Sequence, residues 1–160
     1  MSGLTVAQAK ALQSVVRAVP QRLGLFRNVL GHEPKNAPGR GLSCSVFVHE
    51  ITPTTSGLNV TSLRVTFNVR LQTPMLEDPE DDIDPELVSA AVSVMAGYAG
   101  GFTLSEIEAD GIDVRAIDIR GMSGAAMTAP FGYLNHDGKV YRAVVITVPI
   151  IINDVLAESA

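Results

Sequence analysis

Two stretches of the chain have hydrophobic patterns that predict β-strands. Residues 63–71 alternate strictly between apolar and polar side chains, which predicts a strand with one buried face. Residues 140–152 (VYRAVVITVPIII) are apolar on both faces and follow Asp137-Gly138, which predicts a long strand entered from a tight turn. Such a strand must be covered on both faces. Because Pro149 has no N–H, we expect that end of the strand to lie at a sheet edge or bulge.

Helical periodicity predicts two helices. The first is expected over residues 6–18, because Thr5 and Gln8 fit a capping box and Pro20 disfavours the helical conformation in the residue before it. The second is expected to begin at Asp84-Pro85, with aspartate as the N-cap and proline in the first helical position. Its predicted buried stripe is Leu87, Ala91, Val94 and Tyr98, flanked by Val88, Val92 and Met95.

The remaining segments complete a predicted α+β fold. Residues 42–51 are expected to pair with 63–71 as a hairpin, with 52–59 as the turn region. Shorter strands are expected over 112–119 and 127–134. The predicted order is α-β-β-α-β-β-β, which favours a largely antiparallel sheet of about five strands with two helices packed on one face.

Length and composition indicate a single domain with an aliphatic core. The chain has 160 residues, of which 46% are hydrophobic and none is tryptophan. We expect one domain over residues 1–160, with long loops at 31–41 and 73–84. Loops of this length are uncommon in compact domains and are usually functional or mobile. We expect neither a signal peptide nor a membrane span, since no apolar window approaches roughly 20 residues.

Charge is distributed unevenly along the chain. Residues 1–45 carry six basic side chains and one acidic one, whereas residues 46–160 carry six basic and sixteen acidic ones. This asymmetry fits two oppositely charged contact faces, and it also fits charges dispersed by chance over the folded surface. No basic stripe is interleaved with aromatic residues, so the sequence does not predict a nucleic-acid reader.

Known catalytic motifs are absent from the sequence. The three histidines, His32, His49 and His136, lack the spacing of a zinc site, and no G-x-S-x-G motif is present. Cys44 shares a face with Leu42 and is expected to be a small core residue rather than a nucleophile. We therefore expect no enzymatic activity, no catalytic residue, no metal site and no cofactor.

An acidic segment precedes the second helix. Residues 74–86 (PMLEDPEDDIDPE) hold seven acids, three prolines and no base. Charge runs of this kind usually form a solvated surface. Calcium binding through several carboxylates is an alternative, although the EF-hand spacing and its central glycine are missing. A wall of negative potential facing another molecule is a third interpretation.

Five blocks of the sequence, taken in order, resemble one family. They are GHEPKNAPG at 31–39, SGLNVTSLRVTFNVR at 56–70, PMLEDPEDDIDPEL at 74–87, YAGGFTL at 98–104 and GYLNHDGKVYRAVVITVPIIIND at 132–154. In this order the chain resembles the tail terminator proteins of long, non-contractile-tailed, siphovirus-type phages that infect actinobacteria. The resemblance spans nearly the whole chain, and no single block is diagnostic of the family.

The resemblance implies a structural protein of the virion, made in the host bacterial cytoplasm. Members of the family are small α/β folds that form a hexameric ring, cap the finished tail tube, end polymerisation of the major tail protein and contact the head-completion proteins of the neck. Genome DNA passes through the ring lumen without specific binding. The family has no catalytic residue or cofactor, and no membrane is implied. The alternatives are another neck or tail ring, such as a head-closure protein or a tube subunit, and a small ligand-binding or hydrolase domain.

Ring assembly makes three groups of residues candidates for subunit or partner contacts. A cyclic ring buries two different faces of each subunit, so two separate surfaces are required. The final apolar strand, the long loop and the acidic segment are the candidates that the sequence offers. The residues are His32, Glu33, Lys35, Arg40, Glu77, Asp78, Glu80, Asp81, Asp82, Ile150 and Ile152.

Overall fold

The computed structural model of the chain describes residues 3–34, 41–57, 60–75, 80–100 and 111–157. In these ranges, two helices and a curled mixed sheet of six strands form an α+β fold. The elements in chain order are α1 (Val6–Leu23), β1 (Val29–Leu30), β2 (Ser43–Gly57), β3 (Val60–Pro74), a 3₁₀ turn (Glu80–Asp82), α2 (Ile83–Gly100), β4 (Val114–Ile117), β5 (Phe131–His136) and β6 (Lys139–Ala157).

The final strand, β6, lies in the interior of the sheet. The sheet order is β1-β2-β3-β6-β4, and β5 also pairs with β6. One side of β6 is paired antiparallel with β3 over most of its length, and β4 and β5 share the other side. The turn that enters β6 is formed by Asp137 and Gly138, both with positive φ, as the sequence predicts.

The sheet differs from the sequence prediction in its first strand. The two-residue strand β1 pairs parallel with β2, so the sheet is mixed, and the order becomes α-β-β-β-α-β-β-β. The predicted order, which lacks β1, is therefore wrong. A strand of two residues has no periodicity of its own, and only its pairing with Cys44 and Ser45 defines it.

The hairpin of β2 and β3 is present and is longer than expected. Residues 52–57, which were expected to belong to the turn, continue β2 in register with β3. The face of β3 that contains Phe67 packs in the hydrophobic core beneath the helices, and we call this side of the sheet the helix face. The opposite, polar face was expected to be exposed, yet Arg64 and Arg70 are only 9% and 8% exposed. Both faces of this strand are therefore covered within the subunit.

Both faces of β6 are also covered by the chain itself. On the helix face, five aliphatic side chains are at most 1% exposed, namely Val144, Ile146, Val148, Ile150 and Ile152. On the polar face, Tyr141 and Ile151 are 2% and 3% exposed. Ile151 lines a cavity whose other walls are formed by Thr54 and by residues of the 115–123 segment. The sequence predicts that both faces of this strand must be covered, and the chain itself supplies most of that cover.

Pro149 lies inside β6 and not at an open edge, so that expectation is wrong. Its carbonyl oxygen accepts a hydrogen bond from the N–H of Asp118, with an N···O distance of 2.8 Å. Beyond Asp118 the chain leaves the sheet, and it returns at Thr128, whose carbonyl accepts from the N–H of Thr147. The reciprocal bond of this antiparallel pair, from residue 149 to the carbonyl of Asp118, is missing because proline has no N–H, and the pairing with β4 ends at this point.

Helix α1 continues through Pro20 and ends at Gly24, which has a left-handed φ of 66°. The expected end near residue 18 is therefore wrong, although the capping box of Thr5 and Gln8 is present. Proline cannot donate to the carbonyl four residues earlier, which here belongs to Val16. The buried hydroxyl of Tyr98 donates to that carbonyl instead, at 2.7 Å.

Helix α2 packs closely against α1 and the sheet. All four residues of its predicted stripe are buried, whereas Val88 and Val92 are 48% and 59% exposed. The helix continues through Gly97, where an added Cβ would lie 2.7 Å from Cγ1 of Val19. Glycine is therefore required at this position by the close approach of the two helices and does not end α2.

Candidate interaction surfaces

The beginning of the 31–41 loop is held by three polar contacts, one to α1 and two to the sheet. The carbonyl of Gly31 accepts a hydrogen bond from the amide of Gln13, and the carbonyl of Pro34 lies 3.1 Å from Nε2 of His136. A carboxylate oxygen of Glu33 lies 3.3 Å from Nη1 of Arg70. Among the residues proposed from sequence, His32 and Glu33 are exposed, whereas Lys35 and Arg40 lie outside the described residues.

Arg70 anchors this contact from the polar face of β3. Its guanidinium lies 5.4 Å from the ring centroid of Phe47, and its Nε donates to the side chain of Gln72 at 3.1 Å. The arginine is 9% exposed at its side chain, whereas Glu33 is 64% exposed. Because one partner is largely in water, the ion pair contributes modestly to stability and mainly orients the loop.

The acidic segment is exposed where the structure describes it. Glu80, Asp81 and Asp82 form the 3₁₀ turn that leads into α2, and all three are exposed. Glu77 and Asp78 lie outside the described residues. Three adjacent carboxylates at the surface create a local negative potential, which solvent and salt screen over about 8–10 Å.

Arg142 links the acidic end of α2 to β5. It donates to both carboxylate oxygens of Asp84, at 2.9 and 3.3 Å, and to the carbonyl of Gly132. Its guanidinium also lies over the rings of Tyr133 and Phe131, at 4.6 and 5.4 Å from their centroids. The hydrogen bond from Arg142 lowers the pKa of Asp84, and the same bond raises the pKa of Arg142.

This cluster was missed at the sequence level, where Asp84 was expected to be a helix N-cap. The carboxylate oxygens of Asp84 are bonded to Arg142, and α2 begins one residue earlier, at Ile83. The feature of the sequence that indicates this cluster is Arg142, which is a cation on an otherwise apolar strand face. A charge in that position requires an acidic or aromatic partner nearby.

Ile150 and Ile152 are inside the subunit, and their side chains form no surface. They are 0% and 1% exposed and belong to the hydrophobic core on the helix face. An aspartate at either position would therefore disrupt folding and not a surface contact. Contacts with another molecule must therefore use other residues.

The loop after β4 is organised around the carboxylate of Asp118. One oxygen accepts hydrogen bonds from the N–H groups of Gly121 and Met122, at 3.0 and 2.9 Å, and the other accepts from the N–H and hydroxyl of Ser123. Burial alone would raise the pKa of Asp118, but these hydrogen bonds more than offset it, so the pKa is lowered. The guanidinium of Arg64 donates to the carbonyl of Ser123 at 2.7 Å.

Large apolar side chains are exposed at both lateral edges of the sheet. Val48 and Ile51 of β2 are 48% and 60% exposed, and Phe131 and Tyr133 of β5 are 38% and 68% exposed. Met122, at the tip of the Asp118 loop, is 94% exposed. Neighbouring exposed apolar residues are characteristic of protein contact sites, whereas single ones are common on any surface.

Cys44 is buried in the core, as the sequence predicts, and its burial raises the pKa of the thiol to about 12. A thiol in this state has almost no reactive thiolate at neutral pH. Among the described residues, no group of three or more His, Cys, Asp or Glu side chains is arranged to hold a metal ion. No helix in the described part of the chain is long and apolar enough to cross a membrane.

Comparison with known proteins adds no assignment for this chain. No family model matches the chain, and no curated protein matches it significantly.

Proposed function

We propose that this chain is a structural subunit of a phage neck. Its copies form a hexameric ring that caps the tail tube, ends tail polymerisation and joins the tail to the head-completion proteins. The observation that carries the proposal is the resemblance of five sequence blocks, in order, to siphovirus-type tail terminators. The proposal assigns the chain no catalytic residue, cofactor or membrane contact, and it places the protein in the virion.

The distribution of exposed apolar side chains supports a ring. A cyclic assembly needs two different contact surfaces on each subunit, because each interface joins unlike faces. Val48 and Ile51 are exposed at one edge of the sheet, and Phe131 and Tyr133 at the other. Burying both edges between copies would remove these side chains from water.

The exposed acidic turn has a role in the same proposal. If Glu80, Asp81 and Asp82 face the lumen or a ring face, their charge repels DNA phosphates. DNA binding to proteins depends on Lys and Arg contacts that release counterions. An acidic lining therefore allows the genome to pass without being held.

The direct test is electron microscopy of particles from a phage that lacks this gene. Abnormally long tails that are not attached to heads would support a tail terminator. Filled heads without tails, together with free tails of normal length, would contradict it and would instead indicate a head-side connector. Two further measurements on the purified chain add a second readout: native mass spectrometry for the oligomeric state and thermal melting with small ligands. A stable monomer whose melting temperature responds to a small ligand would favour a binding domain.

The acidic lining is tested by neutralising Glu77, Asp78, Glu80, Asp81 and Asp82 together, as Gln and Asn. We expect slower DNA ejection or impaired docking to the tube, because phosphate repulsion is lost, measured as infectivity and ejection rate. The control is Asp113→Asn with Asp137→Asn, which neutralises exposed acids away from the 3₁₀ turn. Normal infectivity of the five-residue variant would contradict the role of the acidic segment.

A further inference from the structure

One edge of the sheet, formed by β2, is open over most of its length. On the side away from β3, only β1 pairs with β2 in the described chain, at Cys44 and Ser45. The N–H of Cys44 donates to the carbonyl of Asn28 on this side. In a parallel ladder the Leu30–Ser45 bridge is closed by the N–H of Val46, so β1 covers this edge as far as Val46. Beyond it, the edge contains a β-bulge between Val48 and Glu50, and no described strand pairs with Val48 or Ile51 on this side. An open edge of this length is a template for pairing with another strand.

The opposite edge, formed by β5, is open as well. Among the described strands, β5 pairs with β6 alone. The N–H of Val145 donates to the carbonyl of Pro130, so even-numbered positions of this segment face β6. The backbone groups of Phe131, Tyr133 and Asn135 therefore point outward from the sheet.

The exposed apolar side chains of both edges lie on the helix face. Val48 and Ile51 pair with Phe67 and Val65 of β3, whose side chains are in the core. Phe131 pairs with Val144 of β6, which is also in the core, and Tyr133 is two residues further along the same face. If the two edges met with the helix faces aligned, these four side chains would become cross-strand neighbours.

Strand directions make the two edges compatible in a ring. β2 is antiparallel to β3, β3 to β6, and β6 to β5, so β2 and β5 run in opposite directions. Cyclic symmetry about an axis roughly along the strands keeps all copies in the same orientation. The β5 strand of one copy is then antiparallel to the β2 strand of its neighbour, and the alternation of the sheet continues across the interface.

We propose that copies of this chain join edge to edge, with residues 48–52 of β2 in one copy paired antiparallel to β5 in the next. The proposal rests on the ring proposed above and specifies its interface. β5 is six residues long, so it can span this stretch of β2, which contains the bulge between Val48 and Glu50 and ends before Pro53, a position without an N–H. The other strand on that side, β4, is a poorer partner for β2. Val114 is buried, and the exposed residues Arg115 and Ala116 offer no large apolar side chain of the kind that β5 exposes.

Ring closure by this interface covers the outer edge of β5 and the paired stretch of β2 in every subunit. Each contact joins unlike edges and is therefore heterologous, as a closed ring requires. The surrounding apolar side chains leave water at the same time, and the backbone hydrogen bonds fix the strand direction. Covering these edges removes two sites at which a foreign strand could pair.

Cysteine cross-linking tests the proposed pairing. The full-length chain would carry Val48→Cys together with Tyr133→Cys, and in parallel Ile51→Cys together with Tyr133→Cys, because the edge register is not specified. The control pair is Val92→Cys with Tyr133→Cys, since Val92 is 59% exposed on α2, away from β2. The native Cys44 is buried and remains in place. Oxidation or a short bismaleimide would be applied to the concentrated chain and to ring-bearing tails.

We expect at least one edge pair to give a ladder of covalent oligomers on denaturing gels, with at least tenfold more product than the control pair. A ring that is cross-linked by the control pair and by neither edge pair would overturn the edge interface and leave the proposed ring intact. A chain that forms no oligomer in solution and no ring on tails would overturn both proposals.

A backbone variant gives an independent readout. Tyr133→Pro removes an outward N–H of β5 without removing a hydrogen bond to β6, and Tyr133→Ala is the matched control that keeps this N–H. Both variants lose the contact with Arg142 equally. We expect Tyr133→Pro to reduce the oligomeric fraction in native mass spectra at least tenfold below Tyr133→Ala, with unchanged circular dichroism. Equal oligomeric fractions in the two folded variants would overturn the pairing.

Discussion

At the scale of single residues, Tyr98 compensates for a proline inside α1. Pro20 leaves the carbonyl of Val16 without its helical donor, and the Tyr98 hydroxyl supplies a hydrogen bond of 2.7 Å. Tyr98 is 2% exposed, so water cannot easily replace it. A buried carbonyl without a partner costs about 1–3 kcal/mol, which is a large fraction of the stability of a small domain.

We predict that Tyr98→Phe lowers the free energy of unfolding by about 1–3 kcal/mol, because the Val16 carbonyl then stays buried and unpaired. In a Pro20→Ala background the loss should be smaller, since the alanine N–H can donate to the same carbonyl. Urea unfolding of the four chains of this double-mutant cycle measures the coupling. Equal losses from Tyr98→Phe in the two backgrounds would show that the hydroxyl does not compensate for the proline.

Asp118 stabilises its loop through its charged form. Hydrogen bonds from Ser123, Met122 and Gly121 lower its pKa in the folded chain below the value of about 3.9 in an unfolded one. A lowered carboxyl pKa contributes stability that is fully present above the unfolded pKa. This stability is lost as the pH falls through the folded pKa.

We predict that Asp118→Asn destabilises the chain by about 1–3 kcal/mol at pH 7, because the charge-assisted hydrogen bonds become weaker. The difference from the wild type should begin to shrink near pH 4, where the carboxyl of the unfolded chain takes up a proton, and should be lost as the pH falls through the lower pKa of the folded chain. Unfolding curves recorded between pH 7 and pH 3 measure this difference, and Asp113→Asn is the control for an exposed acid. A difference that does not change with pH would contradict the role of the charge.

At the scale of elements, the strict alternation of residues 63–71 was sufficient to predict a strand and its core face. The same pattern could not predict that Arg64 and Arg70 on the other face are buried, because the residues that hold them are distant in sequence. Arg64 donates to Ser123, and Arg70 contacts Glu33. Periodicity reports on one element, whereas burial depends on the segments that fold over it.

The same limit explains the errors at the ends of elements. Pro20 was expected to end α1, but the helix continues because the hydroxyl of Tyr98 bonds to the carbonyl of Val16. No local pattern could predict this bond, since the two residues are 82 positions apart. Residues 52–57 have the composition of a turn, yet they remain in β2 because β3 pairs with them along their length. Tertiary contacts override local preference at both sites.

β6 also gives a prediction at the element scale. Ile150→Asp or Ile152→Asp should prevent folding, because an unpaired carboxylate would be placed in the core. Ile51→Asp is the matched control, since Ile51 is 60% exposed and its substitution should leave the melting temperature nearly unchanged while weakening ring formation. Thermal melting followed by circular dichroism distinguishes the three variants. A native-like melt for Ile150→Asp would contradict the burial of this strand.

At the scale of the whole molecule, the candidate contact surfaces were only partly predictable. The exposed acids at 80–82 follow from their charge, whereas Ile150 and Ile152 were chosen for their hydrophobicity and lie in the core. The open edges of β2 and β5 could not be identified before the strand order was known. An edge is a property of the sheet, and no residue pattern within one strand defines it.

The pairing of β3 with β6 also has a consequence for how the chain reaches its native state. Val69 pairs with Ile146 and Leu71 with Val144, so the main ladder joins segments that are separated by more than seventy positions. Contacts of such high sequence separation carry a large loop-closure entropy and slow the search for the native topology. The apolar face of the β2–β3 hairpin therefore stays without its main partner until the β6 segment arrives, which favours slow folding with this face exposed to water in the meantime.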